Sequence, residues 1–288
     1  MVAKIIDGKA IAAKLRAKIA LTINRNSGPP PKLAVILVGN DPASKLYVSN
    51  KHIACQEVGI MTEDYCLASS SSEQKVYALI NQLNHAADIH GILLQLPLPP
   101  QLNCAKLLEA INPLKDVDGF HSSNLGKLAL NQAQLFPCTP RGVMLILAHI
   151  KQIFTGKHAV IIGASNIVGK PMALELLTAG CTVTICHKFT QDLAKHVARA
   201  DILISAVGKP GLIKGRWIKP GATVIDVGIT MSPTGKMLGD VEFNSAIAHA
   251  QWLTPVPGGV GPMTVAVLLQ NTVTAQLLQS QASARYPS

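Results

Sequence analysis

Tyr47 and Lys51 stand four residues apart in a segment with helical periodicity, so their side chains share one face. A phenol and an ammonium set side by side can meet over a substrate and pass a proton. As an isolated pair, a tyrosine and lysine so spaced are more often surface packing than chemistry; the loops around them change that reading. Gln95 sits at the end of an apolar run, Gly91-Ile-Leu-Leu-Gln-Leu96, where its amide needs a hydrogen-bond partner that a lysine ammonium can supply. Asp118 lies in Lys115-Asp-Val-Asp-Gly-Phe120. The run Thr254-Pro-Val-Pro-Gly-Gly-Val-Gly-Pro-Met-Thr264 places three prolines and three glycines in eleven residues. Proline fixes φ and lacks a donor, while glycine lets a ligand approach the backbone, so this run reads as a rigid ligand-facing loop.

A second cluster suits a nucleotide. Gly163-Ala-Ser-Asn-Ile-Val-Gly169 falls between an apolar strand and a helix, where a Rossmann phosphate turn belongs. Gly163 permits the tight turn, Ser165 or Asn166 can cap the helix, and Gly169 allows close helix–strand packing. The spacing is not G-x-G-x-x-G, so an ordinary serine-capped turn fits this stretch equally well by itself. About 20 residues on, an NAD site places a carboxylate on the ribose 2′-hydroxyl, whereas a base suits a 2′-phosphate. The chain has His187-Lys188 there, which favours NADP with Lys188 as the charge partner.

The elements that must carry these residues alternate strand and helix nearly throughout, as in parallel α/β proteins. Ile11, Leu15, Ile19 and Ile23 mark a first helix behind Asp7 as N-cap. Leu33–Val38 is a buried strand, a helix follows from about Ala43 to Val58, and Pro97-Leu-Pro-Pro100 stops the strand that bears Gln95. The second half has strands at 158–162, 182–186, 202–206 and 223–227, with a last helix from about Met263 to Leu278. The expected domains are 1–136, catalytic; 137–262, Rossmann-type and doubly wound; and a C-terminal helix, 263–288, packing back on the first. A cleft between the two domains is expected to hold the ligands.

Composition narrows the partners. The chain has 288 residues, 48% of them hydrophobic and 15% charged, which describes a folded rather than a disordered protein. No run approaches the ~20 apolar residues of a membrane span, and charge comes too early at the N-terminus for a signal peptide. Six cysteines without a C-x-x-C pair indicate neither a zinc site nor a disulfide framework, so reduced thiols in a cytoplasmic protein are expected, with no metal. The net charge of +10 is dispersed and lacks interleaved aromatics, which ranks an anionic small molecule above nucleic acid. A basic solvated surface accounts for the charge equally well.

Taken together, the chain resembles the bifunctional methylenetetrahydrofolate dehydrogenase/methenyltetrahydrofolate cyclohydrolase family of one-carbon metabolism. The likeness is carried by Asn40-Asp-Pro-Ala-Ser-Lys-Leu-Tyr-Val-Ser-Asn-Lys51, Gly91-Ile-Leu-Leu-Gln-Leu-Pro-Leu-Pro99, Lys115-Asp-Val-Asp-Gly-Phe-His121, Pro137-Cys-Thr-Pro140, the 163–171 loop, Val224-Ile-Asp-Val-Gly228, Gly239-Asp-Val241 and Thr254–Thr264, spread over nearly the whole chain. The resemblance implies that Lys51 is catalytic with Tyr47 as its neighbour and Gln95 as its hydrogen-bond partner. It implies that Asp118 binds the pterin-like end of the folate and that Pro257, Gly258 and Gly259 shape the folate site. It further implies that Gly163, Ala164 and Ser165 hold NADP, with Ile229 on the nicotinamide side. Ala164 departs from the arginine common in the family at that position; Lys188 is expected to supply the missing charge. The implied activities are oxidation of 5,10-methylenetetrahydrofolate and hydrolysis of the methenyl product. The implied state is a homodimer joined through the cofactor domains, acting on folates that carry one or several glutamates. A monofunctional dehydrogenase of the same family is the alternative.

Overall fold

The computed structural model describes residues 2–26 and 28–285, with the side chains of 42–47 and 283–285 outside the described set. The chain forms two compact units. One takes the residues up to Ala13 together with Thr139–Thr264; the other takes Lys14–Cys138 and the chain from Val265 onward. The sequence puts residues 1–13 with the first domain, but Lys4–Ile5 pairs in parallel with Trp252–Leu253, so strand pairing groups them with the later half.

The cofactor-type unit is built on a six-stranded sheet. Its strand order is Lys4–Ile5, Trp252–Leu253, Thr223–Asp226, Ile202–Ser205, His158–Ile162 and Thr182–Cys186, every pair parallel. Ala159–Ile162, Ile202–Ile204 and Val224–Ile225 are all buried, as expected of parallel strands covered on both faces. The strand His158–Ile162 is followed first by its neighbour on one side, Thr182–Cys186, and then by Ile202–Ser205 on the other. This reversal is the switch point where open α/β sheets bind ligands beyond the carboxyl ends of their strands.

The second unit holds a three-stranded parallel sheet in the order Met61–Leu67, Lys32–Val38, Gly91–Leu94. The helix Glu73–His85 covers it, capped by Ser72, whose hydroxyl accepts from the Lys75 amide at 3.3 Å, and burying Val76, Ile80 and Leu83. The helix Pro42–Val58 runs from the carboxyl end of Lys32–Val38 and is stopped at Gly59, whose φ is +85°.

The last helix runs Val260–Arg285, so it starts ahead of the expected Met263. Gly261 and Pro262, expected in the loop, lie in its first turn. Proline is tolerated there because the first turn has no intrahelical acceptor for its missing N–H.

Candidate active site

Helix Pro42–Val58 presents Lys51, which is only 9% exposed despite its polar side-chain nitrogen. Its Nζ donates to Gln95 Oε1 at 2.9 Å. Gln95 follows Gly91–Leu94, and its amide N still pairs with Ile36 O at 2.9 Å, so the sheet ladder sets its position. Gln95 Nε2 in turn donates to Leu96 O at 2.6 Å, which leaves Oε1 facing the lysine. A buried lysine nitrogen held by a side-chain amide is a costly way to fill a core, and it sets Nζ in one fixed position.

Asp118 belongs to the same electrostatic group. Burial pushes its carboxyl up, the Lys51 charge opposes this, and the Asp116 charge adds to it. One turn beyond Lys51, burial pushes the Cys55 thiol up to about 12, with Lys51 again opposing. Lys51, Gln95 and Asp118 are thus brought together within one unit. The side chain of Tyr47 lies outside the described residues; its backbone is on the same helix.

The loop that carries Asp118 is held on every side. Asp116 is buried and accepts from the amides of Gly119 (3.1 Å) and His121 (2.9 Å) and from Asn124 Nδ2 (2.9 Å). Lys115, also buried, donates to the carbonyls of Leu83 and Ala86 at 2.9 and 2.7 Å, at the carboxyl end of helix Glu73–His85. Asn271, on the last helix, donates to Val117 O and Phe136 O, each at 2.8 Å, and the Cys138 thiol donates to Val117 O at 3.2 Å. Asn271 and Cys138 thus brace the peptide immediately before Asp118. Neither emerges as a brace from sequence alone; the available signal for Asn271 is an amide just after the apolar run from Val265 to Leu269. Asn271→Ala removes one of the two donors to Val117 O and the amide donor to Phe136 O, and is expected to cost about 1–3 kcal/mol of stability. An unchanged urea midpoint would remove Asn271 from this role.

In the other unit, Gly163 follows strand His158–Ile162 with φ +121°. A Cβ at that position would stand 2.4 Å from Ala206 O, and one at Gly169 would stand 2.0 Å from Gly163 O. Only glycine fits either place, so the turn packs closely against the Ala206 peptide and the helix Gly169–Thr178 starts directly over it. Ser165 Oγ accepts from the amides of Val168 and Gly169 at 3.1 and 3.3 Å, closing the turn into the helix. This glycine cradle at a sheet switch point fits the pyrophosphate of a dinucleotide, with Ala164 between the two fixed positions.

Lys188 is exposed just past Thr182–Cys186, its Nζ 4.8 Å from the centroid of the exposed Phe189 ring. Ile229 is 40% exposed, and a methyl added to Gly261 would lie 3.9 Å from its Cδ1. The turn Pro257-Gly258-Gly259 therefore sits just ahead of the helical residue that Ile229 touches. Gly258 has φ +101°, and a Cβ on Gly8 would be 1.8 Å from Gly259 O, so the turn is seated on the start of helix Gly8–Arg25. Lys51, Gln95 and Asp118 belong to one unit; residues 163–165, 188, 229 and 257–259 belong to the other.

A parallel sheet with a glycine-cradled turn at its switch point, together with a buried lysine oriented by an amide, defines an α/β enzyme that works with a dinucleotide. The tetrahydrofolate dehydrogenase/cyclohydrolase catalytic-domain model matches residues 6–118, and the NAD(P)-binding-domain model of the same family matches residues 137–280. Solved structures agree. The bifunctional enzyme FolD, a methylenetetrahydrofolate dehydrogenase/cyclohydrolase from Campylobacter jejuni, is 46% identical over 96% of this chain and 99% of its own, with a TM-score of 0.93. The Trypanosoma brucei FolD, solved with NADP cofactor and inhibitor, is 35% identical over 99% and 100%, also with a TM-score of 0.93. A bifunctional dehydrogenase/cyclohydrolase from Thermoplasma acidophilum is 33% identical over 96% and 100%, with a TM-score of 0.91. This chain belongs to the tetrahydrofolate dehydrogenase/cyclohydrolase family.

Proposed function

We propose that this protein oxidises 5,10-methylenetetrahydrofolate with NADP and hydrolyses the resulting 5,10-methenyltetrahydrofolate to 10-formyltetrahydrofolate. The observation that carries the reading is the buried Lys51–Gln95 hydrogen bond in the electrostatic reach of Asp118. Asp118 binds the polar edge of the pterin, and the Pro257–Gly259 turn shapes the folate site. Gly163, Ala164 and Ser165 cradle the pyrophosphate, and Ile229 lies on the nicotinamide side. When bound by these residues, NADP would supply the hydride acceptor, the C4 position of its nicotinamide ring, for oxidation of the folate methylene carbon. For that step the protein supplies apposition and exclusion of water.

Hydrolysis needs proton handling. Water adds to the cationic methenyl carbon and gives a proton to Lys51 Nζ, which acts from its free-amine form and is kept aimed at the site by its hydrogen bond to Gln95 Oε1. The bond from that carbon to N5 then breaks, the added hydroxyl becomes the formyl oxygen, and N5 takes up a proton. One proton is released to solvent overall. Tyr47, four residues before Lys51 on the same helix, positions the water or relays the proton. A monofunctional dehydrogenase would have no use for a buried lysine fixed in this way, which favours the bifunctional reading.

The direct test adds methylenetetrahydrofolate and NADP to the protein and follows reduced-nicotinamide absorbance together with the methenyl chromophore. Reduction followed by chromophore decay is expected; reduction with a persistent methenyl signal would establish the monofunctional alternative.

Lys188 supplies the charge for the 2′-phosphate in place of the arginine missing at Ala164. Lys188→Glu is expected to raise the KM for NADP about tenfold and leave that for NAD nearly unchanged, with the difference shrinking as salt rises. Unaltered discrimination would remove Lys188 from the cofactor site. The excess positive charge suits the anionic glutamate tail of the substrate. We further read the protein as a cytoplasmic homodimer that binds neither nucleic acid nor membrane. Six unpaired thiols fit a reducing compartment, and no helix among the described residues is long and apolar enough to cross a membrane.

A further inference from the structure

The two most deeply held carboxylates of the sheet unit lie outside the residues assigned above. Asp226 ends the strand Thr223–Asp226 and is 4% exposed; Asp240, in Gly239-Asp-Val241, is fully buried. Asp226 accepts from the backbone amides of Gly228 (3.0 Å), Asp240 (3.0 Å) and Val241 (2.9 Å). Asp240 accepts from Ser205 Oγ (3.0 Å) and from the amides of Val207 (2.8 Å) and Lys209 (2.8 Å). The two act in series, since Asp226 fixes the backbone of Asp240 and the Asp240 carboxylate fixes the loop after strand Ile202–Ser205.

Two glycines make room for this arrangement. A Cβ on Gly228 would stand 2.2 Å from Asp240 Cγ, and one on Gly239 would stand 2.1 Å from Asp226 Oδ2. The loops so held are those that border the cofactor turn. Ala206 O is the atom that excludes a side chain from Gly163, and Thr230 Oγ1 donates to Gly208 O at 3.1 Å, tying the 228–230 segment to the 205–209 loop.

We propose that Asp226 and Asp240 form a two-carboxylate brace that positions the 205–209 and 228–230 loops at the strand ends and thereby sets the affinity for NADP. The proposal rests on the assignment of Gly163 and Ile229 to the cofactor site. Burying two carboxylates in series is expensive, and apolar side chains would close the strand ends at less cost. Charge-assisted bonds to backbone amides instead hold loops in one geometry, which a preorganised cofactor site requires. Burial pushes the Asp226 carboxyl up to about 7, the three amides pull against it, and the Asp240 charge adds to the rise. Both are positioning residues, acting on the cofactor through the loops.

The test is the dissociation constant for NADP, measured by titration calorimetry, for wild type and Asp240→Asn. The amide swap turns one acceptor into a donor that faces other donors. It is expected to raise the Kd at least about tenfold, with the KM for NADP following it. The KM for methylenetetrahydrofolate is expected to stay within about twofold, since general loss of structure would move both constants. A Kd within about twofold of wild type overturns the proposal. Should Asp240→Asn fail to unfold cooperatively, Ser205→Ala removes a single donor and is expected to raise the Kd about threefold; an unchanged Kd there overturns it equally. Wild-type protein that binds NADP without oxidising the folate would overturn the proposed activity, while the variant Kd values would still decide the brace.

Discussion

Lys51→Met is expected to abolish methenyltetrahydrofolate hydrolysis, lowering its rate by about 10²–10⁴. Methionine keeps an unbranched apolar stem of similar length, so helix Pro42–Val58 and its packing survive. The change removes the group that takes the proton from water and also the donor to Gln95 Oε1. Leaving that oxygen buried and unpaired costs a further ~1–3 kcal/mol of stability, a secondary effect that a urea titration measures separately. Hydride transfer is expected to fall less, because it depends on apposition and moves no proton at Nζ. Supplying purified methenyltetrahydrofolate and following its chromophore isolates the hydrolytic step. Hydrolysis at the wild-type rate in this variant would refute the role of Lys51 and with it the account of the second reaction.

Gly169→Ala is expected to be the most damaging single-methyl change in the cofactor turn. The added carbon would stand 2.0 Å from Gly163 O and 2.7 Å from Gly163 C, both backbone atoms of the turn itself. No flexible side chain is there to yield, so the turn must open or the helix Gly169–Thr178 must move away from it. Relief of such overlap costs about 3 kcal/mol or more, and most of it falls on the geometry that receives the pyrophosphate. NADP affinity is expected to drop about a hundredfold, read by calorimetry. Gly126→Ala serves as the comparison. That glycine lies inside helix Ser122–Ala129 with nothing within 4 Å of the added carbon, and the change is expected to be neutral or to stabilise by ~0.5–1 kcal/mol. Equal NADP affinity in both variants would mean that Gly163 and Gly169 do not form the cradle.

Much of this protein is legible in its sequence. The strands at 32–38, 158–162, 202–205 and 223–226 announce themselves as apolar runs because parallel strands are covered on both faces. Met61-Thr-Glu-Asp-Tyr-Cys-Leu67 gives no such signal; it is an edge strand with no fully buried residue, so its two acids lie where water reaches them. The stiff 254–264 run stands out by composition, yet its second half is the first turn of a helix, since proline and glycine are compatible with a helix start as well as with a loop.

Residue types and local spacing by themselves determined the α/β class, the glycine turn after strand 158–162 and the candidacy of Lys51, Gln95 and Asp118. Those features depend on neighbours a few positions away, whose sterics and burial are written in order along the chain. Tertiary structure alone decided which partners complete them. Gln95 reaches Lys51 across 44 residues and Asn271 reaches Val117 across 154. Asp240 closes on Ser205 across 35. A buried polar atom must find a partner, and which one it finds is set by where the sheets and helices carry the two ends.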